Sequence, residues 1–276
     1  MINMSYKKTL IAMFIMFAIA VPRVQATPSG GGMPPSFTYK SEEWYDSFGL
    51  TRTNAEGSHG YLPKMLSETI GANSELAFQI GKEFQNTYSD RNTRAEKILK
   101  YVQTWVEYGY DSDNVVMNGV SQDEWAWNAD EMAHNIDQTS GKVAVGDCED
   151  MAFLCAAIYE GAGFETAIID APGHCALLIW LPEYTNANNY WELSADSRGA
   201  GWIWVESTGP NNPLGWTPSD FSDGGWTAYT HVNNVYTPQE PTQTSTDNSS
   251  DSGFSIWDLV IVIIVVLFTL LTRSRR

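Results

Sequence analysis

The chain has 276 residues, and its 16 Lys plus Arg against 33 Asp plus Glu leave a formal net charge of −17. That balance argues against nucleic acid as a partner, because a phosphate backbone calls for a basic surface. Hydrophobic residues at 43% and 11 Trp can fill a sizeable core, which excludes disorder throughout. Three cysteines are too few for a disulfide scaffold.

Residues 1–26 carry Lys7 and Lys8, an apolar run from Leu10 to Val21, and then Val24-Gln25-Ala26. A basic start, a short apolar stretch and a small-residue cleavage pattern read as a secretory signal. Residues 27–91 follow as a flexible Pro/Gly-rich segment and a helical extension, with residues 61–88 mostly helical and Gly71 and Gly81 as breaks. Residues 92–108 form the clearest amphipathic helix. Ile98, Leu99, Val102, Trp105 and Val106 recur at three- and four-residue spacing, opposite Arg94, Glu96, Lys97, Lys100 and Gln103. Residues 111–138 show no clear period and read as loop with short helices. Their Asp111-Ser112-Asp113-Asn114 lacks the glycine and terminal Glu of a calcium loop, so it reads as a solvated turn.

The informative segment is Gly146-Asp147-Cys148-Glu149-Asp150. Asp147 suits an N-cap, Asp150 stands in capping-box position three residues later, and Gly161 or Gly163 supplies the stop, so a helix begins at Cys148. Met151, Leu154, Cys155 and Ile158 give it an apolar face, and Ala152, Ala156 and Ala157 permit close packing. A thiol at a helix N-terminus meets unpaired N–H groups and the positive end of the helix dipole, which favour the thiolate and suit a nucleophile. Cys155, two turns further in, reads as a small buried cysteine. Cys148 and Cys155 lie about 10 Å apart along such a helix and cannot bridge. A Cys155–Cys175 bridge stays open and would leave Cys148 free.

Residues 166–169 and 174–181 are short, β-favouring apolar runs around a turn at Ala171-Pro172-Gly173. Residues 202–206, closed by Ser207-Thr208-Gly209-Pro210, are a further strand. If it pairs antiparallel with the strand opened by His174, the end of one lies beside the start of the other, which sets His174 beside Glu206. The order predicts a cluster of Cys148, His174 and Glu206. His59, His134 and His231 sit in no comparable setting. Cys148 and His174 without a C-x-x-C pair are too few ligands for zinc, and no cofactor is expected.

Residues 238–253 are polar and read as a linker, with Asn248-Ser249-Ser250 fitting the N-glycosylation acceptor pattern. Residues 254–272 are apolar and precede Arg273-Ser274-Arg275-Arg276. At 1.5 Å per residue they reach about 28 Å, the thickness of a bilayer core. They predict a single membrane span with residues 273–276 as a basic cytoplasmic tail and the rest outside. A sorting signal that is cut and replaced has the same layout.

Between these ends, residues 92–237 form the expected core, of α+β class. Within it, residues 92–216 resemble the transglutaminase-like superfamily of the papain-like fold. The resemblance rests on Val106-Glu107-Tyr108, on Gly146-Asp147-Cys148-Glu149-Asp150-Met151-Ala152, on Gly161-Ala162-Gly163-Phe164, on the His174 strand and on Trp202-Ile203-Trp204-Val205-Glu206-Ser207-Thr208. It implies a Cys148-bearing helix packed on an antiparallel β-sheet, with Cys148 as nucleophile, His174 as general base and acid, and Glu206 as the acid that orients it. Glu206-Ser207-Thr208 departs from the family's usual Asp-Pro-Thr, and Cys175 replaces a bulkier residue. The implied chemistry is thiol acyl transfer on amide bonds of a protein or peptide, as a peptidase or amidase with water or a cross-linker with an amine. Trp125 or Trp127 is a candidate to wall the cleft or stabilise the oxyanion, with core packing as the alternative. A catalytically silent, membrane-anchored binding module of the same fold is the rival. The acidic surface hints at a neutral or cationic substrate.

Overall fold

Helices dominate the middle of the chain and strands its later part, so helix and sheet are mixed as expected. The computed structural model describes residues 33–34, 36–55, 60–62, 76–194, 196–232, 235–239 and 241–244. The expected signal (1–26), the glycosylation acceptor and the membrane span (254–272) lie outside the described residues. Among the described residues no helix is long and apolar enough to cross a membrane.

In chain order, β1 (Phe37–Lys40) and β2 (Glu43–Asp46) form an antiparallel hairpin inside the stretch read as flexible and helical. Just beyond it Arg52 is fully buried, with Nη2 at 2.9 Å from Asp46 and Nη1 at 2.6 Å from Glu131. A charge so deep is tolerated because carboxylates meet it on two sides. It ties the hairpin to the segment that carries Glu131.

Helix α1 (Leu76–Thr87) contains Gly81, which the sequence reading took as a break. Here glycine serves packing instead. A Cβ on Gly81 would lie 2.1 Å from the Ile158 carbonyl oxygen, and one on Gly161 would lie 2.1 Å from that of Phe78. Two glycines thus let two helices cross backbone to backbone.

Helix α2 (Arg91–Trp105) is capped by Asp90, whose Oδ1 accepts the Thr93 N–H at 2.8 Å. Ile98, Leu99 and Val102 are buried as expected, but so is Arg94 from the supposed outer face, its guanidinium 5.2 Å from the Phe164 ring. The helix also ends sooner than expected. Val106–Tyr108 is strand β3, parallel to β6 (Ala144–Gly146), because a β-branched and an aromatic residue beside a free strand edge favour pairing over another helical turn.

Residues 111–138 hold α3 (Asp111–Asn114), a hairpin of β4 (Val116–Met117) and β5 (Val120–Ser121), and α4 (Ala129–Asn135). The hairpin turns on Asn118 and Gly119, both at positive φ, the backbone that an Asn-Gly turn supplies. Asp111 corrects the solvated-turn reading: it is buried and accepts the Trp125 N–H at 2.6 Å.

Helix α5 (Cys148–Gly161) starts at the expected residue, and the Asp147 N–H donates to Asp150 Oδ2 at 3.1 Å. Gly163 beyond its end sits at φ 83°, a left-handed position that glycine adopts without strain. The helix is buried on every side rather than along one face. Helices α1, α2 and α4 enclose it together with the sheet.

That sheet has seven strands in the order β12-β11-β7-β8-β10-β9-β13. They are β7 (Thr166–Ala171), β8 (His174–Trp180), β9 (Tyr190–Leu193), β10 (Trp202–Val205), β11 (Thr227–Val232), β12 (Val235–Gln239) and β13 (Pro241–Thr244). Each neighbouring pair is antiparallel. Ile168, Leu177, Ile179, Ile203 and Val205 face α5, while Trp191, Trp202, Trp204 and Trp226 build a second core layer on the other face. Strand β9 lies between the two strands expected at residues 174–181 and 202–206.

Candidate active site

Cys148 is the first residue of α5, His174 the first of β8, and Glu206 follows the last of β10. Strand register refines the expected juxtaposition. Val205 pairs with Leu177, so one step on sets Glu206 opposite Ala176, two residues along the same face from His174. The glutamate side chain spans that offset, and His174 Nε2 lies 2.9 Å from Glu206 Oε2.

Glu206 is 3% exposed and held from several sides. Thr208 donates to its Oε1 from the hydroxyl at 2.6 Å and from the backbone N–H at 3.2 Å. The Trp204 indole N–H donates to Oε2 at 3.3 Å. His174 is fixed through its face as well. Its ring stacks on Phe221 at 5.4 Å and 7°, and Phe221 stacks on Trp204 at 5.6 Å and 9°.

Burial pulls the His174 pKa down, but hydrogen bonds to Cys148 and Glu206 and the charges of both outweigh it and push the ring up to about 9. The same pairing holds Glu206 below the ordinary carboxylate range: burial pulls upward, and His174 and Thr208 overcome it. With Nε2 on Glu206, Nδ1 is the nitrogen left for the sulfur. Cys148 and His174 line one cleft of about 800 Å³, with Glu206 behind the imidazole.

The Cys148 side of the cleft gathers acids, of which the sequence suggests Asp147 and Asp150 as caps and Asp111 as a turn. Glu149 is 4% exposed, and the Cys148 thiol donates to its Oε2 at 3.3 Å. Glu149 Oε1 and Asp147 Oδ1 are buried without an N–H or hydroxyl donor, and a hydrogen bond between the two carboxyl side chains, which needs a proton, favours the protonated Glu149. Oxygens of Asp111, Glu124 and Glu149 lie within 4.8 Å of one another, as do those of Asp111, Asp147 and Asp150. Glu124 accepts from the Tyr61 hydroxyl, and Asp150 from the Trp127 N–H at 2.7 Å. Burial first, and neighbouring carboxylates second, push Glu149 and Asp150 well above the ordinary range and Asp111 up to about 7. Oxygens so arranged could hold a hard divalent cation, or else share protons, since adjacent dry carboxylates cannot all ionise unaided.

Glu149 bears on the chemistry of the thiol. A carboxylate at that distance repels a thiolate, whereas a protonated carboxyl donates to it. Tyr108 stands at the same mouth because β3 pairs Tyr108 with Gly146, two residues before Cys148. Trp125 and Trp127 do not line the cleft. Trp125 is fully buried against Phe37 and Trp44, as core packing requires. All three cysteines are free, so Cys155 and Cys175 are not bridged, and Cys175 lines the cleft beside His174.

No family model matches the chain, and no curated protein does. A solved structure does, that of a "putative cysteine protease" from Cytophaga hutchinsonii, at 13% identity over 69% of this chain. The TM-score is 0.32, and this chain spans 57% of the length of that one. A likeness at that level carries no argument, and the site rests on its own geometry.

Proposed function

We propose that the protein is a thiol acyl-transfer enzyme of the papain-like, transglutaminase-like kind, acting on amide bonds of a polypeptide. The observation that carries the reading is the 2.9 Å His174–Glu206 bond beside Cys148 at the mouth of a buried helix. A thiolate, an imidazolium and an orienting carboxylate are the parts such chemistry needs. The Cys148 thiolate attacks the carbonyl carbon, and first-turn N–H groups of α5 receive the oxyanion. His174 then protonates the leaving nitrogen as the C–N bond breaks. Water or an amine, deprotonated by His174, attacks the thioester and releases the sulfur as thiolate.

The catalytic part acts outside the cell, held at the membrane by residues 254–272. Deleting those residues should release the protein from membranes in a fractionation assay. The enzymatic reading is tested on the full-length chain. Wild type should turn over peptides from a mixed library, with a primary amine separating hydrolysis from transfer, and Cys148→Ala should not. Alkylation of Cys148 by iodoacetamide should slow at least tenfold in His174→Ala. Equal rates, with no turnover, would leave an anchored binding module.

A further inference from the structure

Resting on the acyl-transfer reading, we propose that the acid-lined half of the cleft binds a cationic side chain, lysine or arginine, of the polypeptide substrate next to the amide that Cys148 attacks. Glu124, Asp147 and Glu149 line that half of the cleft, and no Lys or Arg lines any of it among the described residues. The second observation is Glu149 itself. It is 4% exposed, its Oε1 meets no N–H or O–H donor, and a carboxylate oxygen of Glu149 lies within 4.8 Å of oxygens of Asp111 and Glu124. A buried oxygen left so is costly, and an ammonium or guanidinium brings the donors that satisfy it.

Position fits as well as charge. Glu149 Oε2 is 3.3 Å from the sulfur, so a cation on Oε1 sits within about 8 Å of the attacking atom, about two residues of extended chain. At the mouth, Tyr108 and Tyr110 are 42% and 63% exposed, their rings 5.6 Å apart and edge to face. Exposed ring faces beside an acidic floor suit the alkyl stem and the charge of a long basic side chain. A bare metal ion would use the oxygens and neither ring, and would leave most of an 800 Å³ cleft unused.

Two measurements on the full-length chain decide it. The first needs no turnover. Cys148 is modified with 2-aminoethyl and 2-sulfonatoethyl methanethiosulfonate, in which the thiolate attacks the reagent's divalent sulfur, a new S–S bond forms and methanesulfinate leaves. Mass spectrometry confirms the modified residue. The cationic reagent should react at least tenfold faster, and Glu124→Gln should cut that ratio at least threefold. Glu192→Gln, an exposed acid on β9 outside the cleft, should leave it unchanged. A ratio near one, an equal loss in Glu192→Gln, or abolition of the preference by millimolar calcium would overturn the proposal, the last by giving the oxygens to a metal. The second measurement compares peptides that differ only at the residue beside the scissile amide. Lys and Arg should exceed Gln in kcat/KM at least tenfold. Turnover equal for Lys, Gln and Glu sinks the cationic site alone. Turnover of none sinks the acyl-transfer reading and leaves the reagent ratio to judge the charge.

Discussion

On the His174 wall of the cleft, buried charge meets its complement: the ring has Glu206, and Glu206 has His174, Thr208 and Trp204. On the Cys148 wall, Asp147, Glu149 and Asp150 gather with Asp111 and Glu124, and two of their oxygens find no donor. The first wall is pre-paired, so it holds one geometry without help. The second is incomplete until a proton or a cation arrives, which is what a binding surface needs. Arg52 shows that the protein can bury carboxylates with their own counterion, since Asp46 and Glu131 share its guanidinium.

The largest expected effect separates chemistry from packing. Cys148→Ala should lower peptide turnover by a factor of about 10³ or more, while the melting temperature stays near wild type because the side chain sits at a partly exposed helix mouth. A melting temperature that falls steeply instead would make Cys148 a packing residue.

Next in size is Arg52→Met, which would turn the paired site into a copy of the unpaired wall. Asp46 and Glu131 would then be buried without a cation, and breaking a buried pair costs about 3–5 kcal/mol. Urea unfolding should read that loss, and the double variant carrying Asp46→Asn as well should recover part of it. A wild-type midpoint for Arg52→Met would mean the contrast between the walls has no energetic weight.

Glu206→Gln addresses the pre-paired wall alone. The amide keeps the reach and loses the charge, so turnover should fall about 100-fold with a smaller change in stability. Asp196 cannot take over, since it is engaged by Arg198 at 2.7 Å and by the Trp202 indole at 2.8 Å. An unchanged rate would remove Glu206 from the mechanism.

The sequence made one wall more legible than the other. A cap at Asp147, a stop at glycine and two strands opened or closed by His174 and Glu206 were readable because each depends on local pattern. Their offset by two residues was not, since register is set by pairing across the sheet. The acid wall was hidden for the same reason. Asp111 and Glu124 reach Glu149 only through the fold, and nothing local distinguishes them from solvated acids. Gly81 read as a break because its purpose lies on another helix, at Gly161. Strand β9 is four residues long, short enough to pass for loop.

The two walls also predict different pH dependences of stability. A carboxyl whose folded pKa is raised contributes stability below its ordinary value, and loses it as pH rises through the folded one. Asp111, pushed from an ordinary 3.8 up to about 7, therefore weakens the protein across that interval, with Glu149 and Asp150 acting in the same direction. His174, raised from 6.5 to about 9, acts higher, with stability present below 6.5 and lost toward 9. Melting temperature should thus fall in two stages, from pH 4 to 7 and again from pH 7 to 9. Asp111→Asn should flatten the first stage by a few degrees, a shift that about 1 kcal/mol produces in a chain of this size. His174→Ala should flatten only the second. If either variant flattened both, the walls would be one coupled system, and Asp111 would have to be counted with His174 as a group that sets the charge on the sulfur.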